Sequence, residues 1–169
     1  ALSKLRETVG RFVPLERVFT SRVEVDRWEV WAPDAARPAR CAPPAAGLRV
    51  LAFSAIGSPE SFGRSLADAG LLTVGERRFR DHHRYGPGEL DALCRTAADL
   101  GAEALACTEK DLYNLPDGWR PSLPLLIPCV SAVLDEPSRF LDALTGALRP
   151  RLAVASNGYG EDAIGVLLA

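Results

Sequence analysis

The chain has 169 residues, 47% of them hydrophobic and 25% charged, with 14 glycines and 13 prolines. That composition excludes a disordered or fibrous chain and is long enough for one ordinary domain with a real core. A formal net charge of −2 excludes the basic balance of a general nucleic-acid binder, and no apolar run reaches the roughly 18–20 residues of a membrane span.

In chain order, residues 1–17 carry a short helical pattern with Leu2, Leu5, Val9 and Val13 near one face. VFTSRVEVDRWEVWA, Val18–Ala32, alternates apolar and charged residues, the chemistry of a strand or hairpin. PDAARPARCAPPAAG, Pro33–Gly47, has no periodicity and reads as a linker or long loop. From Leu48 the pattern turns regular. LRVLAFSAI is a continuous apolar run, as expected of a strand buried on both faces. PESFGRSLADAG follows as a helix that Ser58 can cap, with Pro59 at its first position and Gly70 closing it. LLTVGERRF is a second strand. PGELDALCRTAADLG is a helix with Leu90, Leu93, Cys94, Ala97 and Leu100 on one face, ended by Gly101, and ALACT is a short buried strand. TEKDLYNL begins a helix that Thr108 can cap, and LPLLIPCVSAVLD and PSRFLDALTGAL are a further strand and helix.

This alternation predicts an α/β three-layer sandwich: a mostly parallel sheet of about four to five strands, preceded by a hairpin-like segment. In such sheets the chemistry gathers at the carboxyl ends of the strands. SAIGSP, RFRDHH and CTEKD each follow a predicted strand, so they should line one rim although about 25 residues separate them. Cys41, Cys94, Cys107 and Cys129 form no CxxC pair and read as free thiols of a reducing compartment.

The rim residues admit more than one chemistry. His82 and His83 are the only histidines. With Asp81 beside them they could supply a general base, bind a metal, or simply finish a strand in water. The metal option lacks an HxH, HExxH or CxxC partner. Lys110 at the start of TEKD could touch a phosphate, and Gly57 permits close backbone approach. Arg77, Arg78, Arg80 and Arg84 form a basic patch suited to phosphate, or a solvated face. No GxxxxGK[ST] loop occurs, so nothing in the chain can cradle a nucleoside triphosphate in the P-loop manner. The chain starts at Ala1, has no methionine and stops inside the apolar, helix-like run GVLLA, so the expectation is a segment of a longer protein.

Taken in order, RVLAFSAIGSPESFGRSLADAG, RFRDHHRY and LACTEKDLYNLP resemble the carboxyl-terminal half of the tetraacyldisaccharide 4'-kinase (lipid A 4'-kinase) family, over roughly Val18–Leu148. The resemblance implies transfer of the γ-phosphate of ATP, with Mg2+, to the 4'-hydroxyl of an acylated disaccharide 1-phosphate at the cytoplasmic face of the inner membrane. It implies peripheral contact with the membrane surface, and ATP and Mg2+ bound mainly by an amino-terminal P-loop domain. The family's Asp-His motif falls on Asp81 and His82, and implies that His82 activates the sugar hydroxyl together with an amino-terminal aspartate. Thr108, Glu109, Lys110 and Asp111 match TEKD and are expected to shape the cleft with Gly57. Arg78, Arg80 and Arg84 are the phosphate-contact candidates, and no metal ligand is assigned. Two positions depart from the pattern. Ala55 stands where the turn usually has Gly, and Tyr113 and Asn114 stand where a lysine often follows TEKD.

The expected organisation is a hinge and linker over 1–47, the kinase's α/β domain over 48–150, and a different start over 151–169. There RLAVASNGYGEDAIGVLLA resembles the opening strand, turn and helix of a lipid-A-disaccharide synthase-like glycosyltransferase. Two other functions stay open. A metal-dependent phosphoesterase of the DHH type needs further upstream aspartate motifs, and residues 1–77 offer only Asp26, Asp34 and Asp68. A non-catalytic domain that binds a partner or a lipid headgroup is the other.

Overall fold

The computed structural model describes residues 2–147, 153–154 and 165–168. In chain order the elements are α1 (Leu2–Val9), a single 3-10 turn (Leu15–Arg17), β1 (Val18–Phe19), β2 (Ser21–Trp31), β3 (Ala39–Cys41), β4 (Arg49–Ser54), α2 (Pro59–Asp68), β5 (Leu72–Arg78), α3 (Pro87–Asp99), β6 (Ala104–Ala106), α4 (Glu109–Leu112), β7 (Leu125–Leu134), α5 (Pro137–Ala147), β8 (Ala153–Val154) and β9 (Gly165–Leu168). They fall into two compact units, residues 25–131 and the flanking stretches 1–24 and 132 onward.

The main sheet has six strands in the order β3-β2-β7-β6-β4-β5. The pairs β4–β5, β4–β6 and β6–β7 are parallel, whereas β2 and β3 pair antiparallel. The sheet is therefore mixed, and it exceeds the expected four to five strands because the hairpin-like segment joins it. Part of the expected linker is also strand, with Trp28 opposite Cys41 and Val30 opposite Ala39.

Alternation along β4 builds both faces. Leu51 and Phe53 point to a core shared with Leu90, Leu93 and Ala97 of α3. Val50 and Ala52 point to a second core with Phe62 and Leu66 of α2. All four β4 side chains are essentially inaccessible, which is why the strand reads as one continuous apolar run. Both flanking helices close on glycines in the left-handed region, Gly70 at φ 77° and Gly101 at φ 64°. Ser58 occupies the N-cap of α2, but its side chain makes no capping bond there.

On the edge strand β5 the register slips by one residue, so that Val50 faces Thr73 but Leu51 faces Gly75. A Cβ on Gly75 would lie 2.6 Å from Leu100 and 2.7 Å from Leu51, so two leucines close over that position. The ladder between β6 and β7 is short. Cys107 N–H donates to the Leu126 carbonyl at 3.1 Å. Pro128, two residues on, has no N–H to offer, and β6 has already ended at Ala106.

The flanking unit has its own polar and aromatic anchors. Asp135 accepts hydrogen bonds from Thr20 and Arg22, and these hold its carboxyl below the usual range, Thr20 more than Arg22. Phe19 packs edge-on against Phe140 at 5.2 Å, with the Arg139 guanidinium 4.8 Å above its ring. Gly165–Leu168, expected to begin a helix, is instead a strand antiparallel to β8 and to β1. A four-residue apolar run carries no period that separates helix from strand. The turn SNGYGED lies outside the described residues.

Candidate functional site

Because β4, β5 and β6 are parallel, their carboxyl ends share one edge of the sheet. The three predicted loops gather there, and hydrogen bonds tie them together. Phe79 N–H donates to the Ser54 carbonyl at 2.9 Å, and His82 N–H donates to the Ala55 carbonyl at 3.2 Å. Beyond the loop, Tyr85 N–H donates to the Asn114 carbonyl at 3.0 Å.

Arg80–His83 is a tight turn closed by His83 N–H donating to the Arg80 carbonyl at 3.0 Å. His82 holds its third position at φ 58°, a left-handed conformation that turns ordinarily assign to Gly or Asn. For an L-residue this conformation costs about 1–2 kcal/mol. The conformation presents the imidazole outward, with 75% of the side chain accessible. Asp81 supports the turn through the backbone, since its Oδ1 accepts from His82 N–H at 3.1 Å. Asp81 Oδ2 lies 3.7 Å from His82 Nε2, which is ion-pair range rather than a ring hydrogen bond. A Cβ on Gly57 would stand 4.0 Å from that same Oδ2, so the AIGSP turn passes close to Asp81.

His83 has a different environment. Its ring stacks on Phe79 at 4.9 Å, meets Tyr85 edge-on at 5.3 Å and bonds Glu89 at 3.0 Å. Glu89 also accepts from Gly86 N–H at 2.8 Å, capping α3. That backbone bond, and secondarily His83, hold the Glu89 carboxyl below its ordinary value. Of the two adjacent histidines, one is presented to solvent and one is built into the packing.

The TEKD residues divide by role. α4 is a single turn rather than a longer helix, with Thr108 as its N-cap. Asp111 is fully buried. Its Oδ1 accepts from Ala55 N–H at 2.9 Å and from the Tyr85 hydroxyl at 2.7 Å. Its Oδ2 accepts from Thr108 N–H at 3.1 Å and from the Thr108 hydroxyl at 2.6 Å. One carboxylate thus links the loops after β4, β5 and β6. Burial, and then the Asp111 charge, push the Tyr85 phenol far above its ordinary value, so it stays a donor. Glu109 accepts from Arg27 of β2 at 3.0 Å, and Lys110 is exposed.

The three arginine candidates also separate. Arg78 donates to Glu76 at 2.9 Å and bridges to Glu60, so both its sides face carboxylates. Arg80 and Arg84 are exposed and have no ion-pair partner among the described residues. Cys107 and Cys129 are buried and unbridged. Burial raises both thiols, that of Cys129 to about 11, which disfavours a nucleophilic thiolate. No group of three metal-ligating side chains converges among the described residues, and no helix among them is long and apolar enough to cross a membrane.

Tyr85, Arg27 and Glu89 were not singled out by sequence reasoning, and Ala55 was marked only as a departure from the usual Gly. Tyr85 was within reach, because a tyrosine ending an apolar strand loop is a candidate buried donor. Arg27 also pairs with its neighbours Asp26 and Glu29, and nothing local marks its link to Glu109, 82 residues away.

Fold and rim together define an α/β domain that holds an exposed Asp-His turn beside a buried, hydrogen-bonded carboxylate. The chain belongs to the tetraacyldisaccharide-1-P 4'-kinase family, whose model matches residues 12–149. It is 42% identical over 113 residues, 67% of the chain, to a tetraacyldisaccharide 4'-kinase of Methylobacterium radiotolerans. It is 39% identical over 126 residues, 71% of the chain, to one of Rhodopseudomonas palustris. A third, from an Anaeromyxobacter species, is 51% identical over 69 residues, 41% of the chain. The matched stretches take up 34%, 35% and 18% of those relatives, so the chain spans about a third of their length or less. No solved structure matches significantly.

Proposed function

We propose that this chain is the carboxyl-terminal α/β part of a lipid A 4'-kinase, over residues 48–150, preceded by a hinge and linker over 1–47. The complete enzyme transfers the γ-phosphoryl group of ATP to the 4'-hydroxyl of a tetraacyldisaccharide 1-phosphate. The hydroxyl oxygen forms the new bond to phosphorus, the bond to the β-phosphate oxygen breaks, and ADP leaves. His82, with an aspartate of the amino-terminal part, takes up the hydroxyl proton. The observation that carries this reading is the His82 turn, where a strained backbone presents an imidazole to solvent at the carboxyl edge of a parallel sheet.

ATP and Mg2+ are the implied cofactors. The residues in hand do not fit them as a primary site, since the sequence has no P-loop and no metal-ligating cluster gathers among the described residues. Both are assigned to the rest of the enzyme, and this part alone is expected to be inactive. Gly57 and the TEKD turn line the rim that would face the nucleotide part. Arg80 and Arg84 are better placed for a substrate phosphate than Arg78, which already faces two glutamates. The acylated substrate implies work at the membrane surface, at the cytoplasmic face of the inner membrane.

The test is His82→Ala in the complete kinase. Loss of a general base lowers kcat by about 10²–10⁴-fold with the melting temperature unchanged. An unaltered kcat removes His82 from the mechanism.

A further inference from the structure

We infer that Asp111 is the positioning residue for His82, acting through Ala55 and Tyr85. Its reach is set by geometry. Asp111 Oδ1 receives Ala55 N–H at 2.9 Å, and the carbonyl of the same Ala55 receives His82 N–H at 3.2 Å. A single residue therefore separates the buried carboxylate from the backbone of the exposed imidazole. The same Oδ1 holds the Tyr85 hydroxyl at 2.7 Å, and Tyr85 packs against Phe79, which precedes the turn, and His83, which ends it. The loop is thus held near its middle and at its end by one oxygen atom.

Only a carboxylate fits this place. Ala55 N–H, Tyr85 O–H, Thr108 N–H and Thr108 O–H are four donors, and an ionised aspartate is the short side chain with four acceptor sites and no hydrogen of its own. Asp111 has no accessible surface and Ala55 and Tyr85 have almost none, so an unmade bond on the Oδ1 side is felt in full, whereas Thr108 is only half-buried. The left-handed His82 persists because its surroundings over-determine it, and the Ala55 and Asp111 bonds are part of that constraint.

The inference deepens the kinase reading and rests on it only for its effect on rate. It is tested first by amide hydrogen exchange on the 169-residue chain. Asp111→Ala should raise exchange at the Ala55 and His82 amides about ten-fold more than at the Leu51 and Leu105 amides, which report global opening. Asp111→Asn keeps an oxygen for Ala55 and Tyr85 but turns an NH2 toward the Thr108 donors, so it should restore only part of that protection. Where Asp111→Ala does not fold, Tyr85→Phe should give the same selective rise at His82 on a smaller scale. Exchange at His82 that follows the global amides overturns the inference.

The second arm is a mutant cycle on kcat in the complete kinase. Asp111→Ala, or Tyr85→Phe in its place, should lower kcat by up to about 100-fold in the wild-type background and leave it unchanged in the His82→Ala background. An equal loss in both backgrounds overturns action through His82. If His82→Ala has no effect by itself, the kinase role of His82 falls, and the exchange arm still decides whether Asp111 sets the turn.

Discussion

The Asp81–His82 turn and the Thr108–Asp111 turn both follow a parallel strand, and both contribute an aspartate to the same rim. They use it in opposite ways. Asp81 is exposed, accepts one backbone amide and lies beside an accessible ring. Asp111 is inaccessible and satisfies four donors from three loops. An acid at the end of a strand is therefore not by itself a sign of chemistry. The number of internal donors aimed at it separates an aspartate left accessible at the rim from one fully engaged in joining the loops.

The contrast can be broken from the buried side. Asp111→Ala strands two amides and two hydroxyls, and should lower unfolding free energy by about 3–5 kcal/mol, read from urea denaturation. A loss below about 1 kcal/mol would mean that water or a rearranged loop replaces the carboxylate. Tyr85→Phe removes one hydroxyl donor from a charged acceptor and should cost about 2 kcal/mol by the same measurement.

From the exposed side the expected effect is smaller and opposite in sign. His82→Gly relieves the left-handed backbone, so stability should hold or rise by up to about 1 kcal/mol. The rate of the complete kinase should nonetheless fall as far as in His82→Ala. A clear loss of stability would mean that the imidazole contributes packing, and that the turn is less strained than its φ implies.

Much of this arrangement was legible in the sequence where a period could build up. β4, α2, β5 and α3 each repeat their pattern long enough to be assigned, and their alternation places three loops on one rim. Short elements were not legible. Ala39–Cys41 is a three-residue edge strand inside a Pro- and Ala-rich stretch, where its partner supplies the structure. The TEKD helix ends after one turn, a length that propensity cannot fix. The positive φ of His82 has no sequence signal, because the usual markers of such a position are Gly and Asn. The role of Asp111 was hidden for a related reason: two of its donors lie 26 and 56 positions away.

Those separations carry a consequence for the order of folding. The Thr108–Asp111 bonds close over three residues, whereas Tyr85 and Ala55 must arrive across much longer loops, whose closure is entropically dearer. The acceptor is therefore expected to assemble locally before its distant donors reach it, with the rim completed after the strands that carry it. Tyr85→Phe should accordingly speed unfolding in stopped-flow experiments and leave the folding rate nearly unchanged. The joint between the three loops would then be the last part of the domain to set and the first to loosen.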